Sequence, residues 1–151
     1  MNNLNLQTGP EASIVIVDRE SAVLPQTAQT PYFTVTGKVL ITQIVGEVTV
    51  VFDGTVNSLK LISNPTVGAD VDLCTALVVT SDVLGSIYNI TGTLANALVV
   101  STSGAIVEQK TSIIVADGTI DLDATASDTT GSTKWTLHYI PLDKGSKVEA
   151  V

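Results

Sequence analysis

Short Val-, Ile- and Thr-rich segments recur from Tyr32 to Pro141, with almost no helical periodicity between them. TGKVLITQIVGEVTVVFDG, SLKLIS, ADVDLCTALVVT, GSIYNITG, ALVVSTSG, TSIIVADGTIDLDAT and TKWTLHYIP all read as strands, with Gly, Asn, Asp or Pro in the gaps. The pattern predicts an all-β fold. Either a single antiparallel β-sandwich of jelly-roll-like form or a barrel would satisfy it. A chain of 151 residues is long enough for one sizeable core.

Three divisions follow from the punctuation. Residues 1–31 read as an extended N-terminal arm, because Pro10, Pro25 and Pro31 hold themselves and their predecessors extended. The arm carries one strand-like island, Ser13, Ile14, Val15, Ile16 and Val17, suited to adding a strand to a neighbouring sheet. Residues 32–143 form the β-sandwich, and residues 144–151 a short, loose C-terminal tail.

Period-2 alternation assigns faces. Leu59 and Leu61 point inward around Lys60. Ile120 and Leu122 face the core, leaving Asp121 and Asp123 to water. Trp135, Leu137 and Tyr139 share one face; Lys134, Thr136 and His138 share the other. Trp135 is the expected anchor of a core or of a subunit interface. The runs at 48–52, 76–79 and 112–115 are apolar almost throughout, as suits strands covered on both faces by a second sheet or a neighbouring subunit. Residues 76–84 read as a strand followed by a turn.

Charge narrows the partners. Seven basic residues stand against fifteen acidic ones, a net charge of −8. That disfavours nucleic acid, which needs Lys and Arg against phosphates, and anionic membrane surfaces. Charged residues make up only 15%, against roughly 25% in an average soluble domain, so part of the exterior is expected to be covered by other subunits. The opening MNNLNLQTGPEAS has neither the basic nor the apolar region of a secretory signal.

Catalytic chemistry is hard to build here. His138 is the single histidine, and Cys74, the single cysteine, lacks a CxxC partner or a nearby base. His138 reads as a polar residue on an outer strand face and Cys74 as a buried structural thiol. Between Thr66 and Gly131 eight acids meet one base, Lys110. Asp117, Asp121, Asp123 and Asp128 could gather around calcium, but the EF-hand loop pattern is absent and a solvated strand face is the simpler reading. Phosphate loops, GxSxG and HExxH are missing. The reading is therefore non-enzymatic, with no catalytic, cofactor or metal residues and no cofactor.

The strings FTVTGKVLITQIVGEV from Phe33, LKLISNPTVGADVDLC from Leu59, GSIYNITG from Gly85 and KWTLHYIPLD from Lys134 resemble small virion structural proteins of tailed bacteriophages. The resemblance spans most of residues 32–143 and lies in the order and texture of the segments. It implies a capsid decoration (cement) protein or a related head–tail accessory protein. Such a protein would be assembled in the host cytoplasm and reside in the virion. Its partners would be itself, as a homotrimer, and the major capsid protein, without nucleic acid or membrane. Two alternatives remain: a tail-tube or fibre component, and a carbohydrate-binding β-sandwich of a receptor-binding tip. The last needs exposed aromatics, for which Tyr32, Phe33, Phe52, Tyr88, Trp135 and Tyr139 are the candidates.

Overall fold

A computed structural model describes residues 13–151. Its strands are β1 (Val15–Val23), β2 (Gln29–Thr36), β3 (Val39–Val50), β4 (Ser58–Pro65), β5 (Val71–Asp72) and β6 (Leu77–Val78). They continue with β7 (Ile87–Asn89), β8 (Val99–Ser101), β9 (Ile113–Val115), β10 (Gly118–Ala124), β11 (Ser132–Pro141) and β12 (Lys147–Ala150). No helix occurs among the described residues. One sheet, called A, runs β1-β11-β3-β7-β8, with β9 also on β3; sheet B runs β12-β2-β10-β4-β5, with β6 also on β4.

The pairings describe one long antiparallel ribbon. β1 pairs with β11, β2 with β10, β3 with β9, and β4 with β5. Successive pairs fall in opposite sheets, so the ribbon winds around the core in the course of a jelly roll. Among the described residues no ladder joins the two sheets. The fold is thus the sandwich expected, and the barrel alternative falls. β3 carries both β7, at residues 45–47, and β9, at residues 39–41, on one edge. Gln109 serves the break between them: its Nε2 donates to the carbonyls of Ile41 (3.3 Å) and Thr111 (2.8 Å).

Alternation places the core as the sequence suggests. Leu59, Leu61, Ile120, Leu122, Trp135, Leu137 and Tyr139 are all buried between the sheets. Trp135 is a core anchor. It lies opposite Gly46, which in turn lies opposite Tyr88. A side chain at Gly46 would put its Cβ 2.7 Å from the indole, so glycine makes the space into which the ring packs. The Tyr88 and Trp135 rings stack with centroids 6.2 Å apart and planes 14° from parallel. The indole N–H donates to Thr133 Oγ1 (3.0 Å), and the Tyr88 hydroxyl donates to Asp82.

Both chain ends depart from expectation. The segment of the arm from Val15 to Val23 is a full strand of the sandwich, paired with β11 from Val15↔Tyr139 to Val23↔Ser132. The island at Ser13, Ile14, Val15, Ile16 and Val17 therefore does not wait for a neighbouring sheet, since Val15, Ile16 and Val17 already pair within the chain. Pro25 falls between strands. Pro31 sits at the β2–β10 bulge, where a missing N–H is tolerated. Residues 1–12 of the expected arm lie outside the described residues. The tail is not loose either: β12 pairs with β2, Val148 is buried, and Val151 N–H donates to Tyr32 O (3.0 Å).

Asp121 is a further correction. It alternates away from the core, yet it is buried rather than facing water. Gln29 Nε2 (2.8 Å) from β2, Asn64 Nδ2 (3.1 Å) from β4 and Thr119 Oγ1 (2.5 Å) all donate to its carboxylate. Polar neighbours on both flanking strands supply what water would otherwise give.

Candidate interaction surface

Cys74 and His138 lie in different settings. Cys74 is buried, accepts the Leu61 N–H at its Sγ (3.4 Å), and has its thiol pushed up to about 11 by burial. It stays protonated and unreactive at neutral pH. His138 stands on the outer face of sheet A between Ile16 and Gln43.

The four aspartates considered for calcium tie separate parts of the fold. Asp128 accepts backbone N–H groups from Asp53 (2.9 Å), Thr130 (3.0 Å) and Gly131 (2.6 Å). Asp117 accepts from Gly37 N–H (3.0 Å) and Thr66 Oγ1 (2.8 Å), and these donors hold its carboxyl below the usual range. Asp121 has the three donors described above, and Asp123 pairs across the ladder with Lys60. Among the described residues no three His, Cys, Asp or Glu side chains gather as metal ligands would.

All six aromatic residues, Tyr32, Phe33, Phe52, Tyr88, Trp135 and Tyr139, are buried. None is left on the surface for a sugar ring to stack on. A cavity of about 290 Å³ beside β7 and β8 is bordered by Thr91, Asn96, Glu108 and Lys110. Its Thr91 hydroxyl is engaged within its own loop by Thr93 N–H (3.1 Å) and Asn96 Nδ2 (3.1 Å).

The distinctive surface is the outer face of sheet A. Register brings four aliphatic residues into one row, from the residue before β1 across β11 and β3 to β9. Ile140 lies opposite Leu40, and Leu40 opposite Ile114. Ile14 precedes the Val15↔Tyr139 pair and so continues the row toward Ile140. Ile16 and Leu142 flank the row, each two positions along its own segment. Ile14 is 56% exposed, Ile16 60% and Ile114 65%. Charges stand at the margins of this patch. Asp18 accepts from Thr136 Oγ1 (2.6 Å), Lys134 meets Glu47 at 3.5 Å, and Lys38 meets Asp143 at 3.8 Å.

The patch turns a corner at Ile114. Beyond it, on the open side of the sandwich between β9 and β5, lies a groove of about 260 Å³. Pro65, Val67, Val71, Leu73 and Leu94 line it together with Ile114, and no charged residue among the described residues borders it. The apolar runs expected to be covered on both faces are covered by the second sheet on one face only. Within them Val50, Val51, Val78 and Ile114 remain exposed, so one face has no cover from the second sheet.

An apolar surface with a polar margin is the mark of an interaction site. The island at residues 13–17 supplied two of its members, Ile14 and Ile16. Leu40, Ile114, Ile140 and Leu142 escaped sequence reasoning, because only the register unites them. Comparison with protein-family models, with curated proteins and with solved structures finds no match to this chain.

Proposed function

We propose that this chain is a non-enzymatic structural protein of a tailed-bacteriophage virion, a capsid decoration (cement) protein that binds the outer shell as a homotrimer and stabilises it. The observation that carries the reading is the uncharged aliphatic surface formed by Ile14, Ile16, Leu40, Ile114, Ile140 and Leu142. A protein that works by assembling with copies of itself and with a shell needs apolar contact surface and needs no reaction centre. The jelly-roll sandwich supports it, as a rigid two-layer frame that holds the patch on strands rather than loops. The buried aromatics weigh against the carbohydrate-binding alternative, since stacking has no ring to use.

The test is co-sedimentation of the purified chain with undecorated heads of the phage whose genome encodes it. Saturable binding, and heads that resist heating better once decorated, are expected. Binding to isolated tails instead would move the assignment to a tail-tube or fibre component. Binding to neither, with retention on a glycan array, would replace it with receptor recognition.

A further inference from the structure

The sheet A patch and the open-side groove are two surfaces of different shape that meet along one edge, at Ile114. The patch is a row across sheet A in which Ile14 and Ile16 are more than half exposed. The groove is concave. We propose that each copy seats its sheet A patch in the groove of the next copy, so that the subunits close head-to-tail into a ring with Ile114 toward the axis. This rests on the homotrimer reading and deepens it by naming the contact.

Three observations select a second copy as the occupant. The first is charge. The chain carries −8, so two copies repel wherever their acids face each other. Among the described residues the patch core and the groove lining contain no charge, and there two copies can approach without that cost. The second is arrangement. Patch and groove lie on adjoining sides of one sandwich, so one molecule cannot bury its patch in its own groove. Two different, adjoining surfaces make a heterologous contact, which closes into a ring when the rotation permits. The third is shape. Val67, 88% exposed, and Leu94, 40% exposed, border a hollow that side chains from a neighbour can fill.

The experiment uses two single substitutions, Ile16→Glu in the patch and Val67→Glu in the groove, in the full chain. Both residues are largely exposed, so each variant keeps its fold; unchanged far-ultraviolet dichroism and melting at low concentration verify that. Val56→Glu, at a position 75% exposed in the β3–β4 connection, is the control. The wild type and the control are expected to sediment as trimers and each variant as a monomer. An equimolar mixture of the two variants still offers one intact patch and one intact groove, and is expected to form dimers. Variants that remain trimeric, or a mixture that remains monomeric, overturn this contact and leave the trimer intact. A wild type that stays monomeric at high concentration overturns both the contact and the trimer; shell binding is then decided separately by co-sedimentation.

Discussion

The two faces of sheet A are made by the same strands and do opposite things. On the inner face β11, β3 and β7 contribute Trp135, Gly46 and Tyr88, a stack of two rings over a glycine that is closed to solvent. On the outer face the residue before β1, with β11, β3 and β9, contributes Ile14, Ile140, Leu40 and Ile114, a row that no other strand among the described residues covers. The inner face combines large aromatics, a vacancy that admits them and hydrogen bonds for their polar tips. The outer face has smaller, branched aliphatics, of which Ile14 and Ile114 are more than half exposed. Hydrophobicity alone therefore does not tell a core from an interaction surface here. Completed packing, with satisfied polar tips, does.

The largest effect is expected at the centre of the inner face. Trp135→Ala removes the biggest buried side chain and leaves Tyr88 without its stacking partner. It should cost about 3–5 kcal/mol. For a chain of this length that corresponds to a fall in Tm of about 6–20 °C. Thermal unfolding measures this, and blue-shifted, quencher-protected fluorescence of the wild-type indole checks the burial independently. A variant that melts with the wild type would erase the contrast between the faces.

Gly46→Ala comes next. Its methyl would sit 2.7 Å from the indole carbons, closer than carbon atoms pack, so the stack must shift. About 1–3 kcal/mol of destabilisation is expected, the usual result of overfilling a packed core. In the Trp135→Ala background the methyl has room, and the same substitution should cost less. Strictly additive costs in the double variant would mean that ring and glycine do not depend on each other.

A smaller, pH-dependent effect is expected at the edge of the stack. Burial raises the Asp82 carboxyl above its ordinary value, and the hydrogen bond from Tyr88 only partly offsets that. A pKa higher in the folded than in the unfolded chain means that folding favours the protonated form. The corresponding stability is present below the unfolded pKa and is lost as pH rises through the folded one. Asp82→Asn should remove that fall, just above the ordinary carboxylate range. Urea melts across acidic pH read it as the difference in slope between the two proteins. Equal slopes would place Asp82 in water.

The inner face was largely legible from the residues, and the outer site was not. Alternation in Leu59 and Leu61, and in Trp135, Leu137 and Tyr139, is a local signal that period 2 reads correctly. β1 and β12 have strand-like residues, but their partners lie far along the chain. Val15 meets Tyr139 and Val148 meets Val35, and no local pattern names such a partner. Asp121 looked solvated because Gln29 and Asn64 reach it from two other strands. In β3 a register irregularity between Ile41 and Gln43 moves the inward set from Val39 and Ile41 to Ile44 and Val48, which strict alternation misses. The patch draws single residues from four strands, so only the assembled register displays it.

The smallest effect on the isolated subunit sharpens the comparison most. Ile114 is as apolar as any core residue, yet it is 65% exposed at the corner between patch and groove. Ile114→Ser should change the stability of the monomer by no more than about 0.5 kcal/mol, as for other surface positions. If the outer face is buried between copies, the wild type gains stability by mass action, and its Tm rises with protein concentration. Ile114→Ser should then match the wild type in dilute solution and fall behind it as concentration increases. A Tm lowered equally at every concentration would make Ile114 part of the subunit's own core. A Tm matched at every concentration would leave the outer face unburied by other copies.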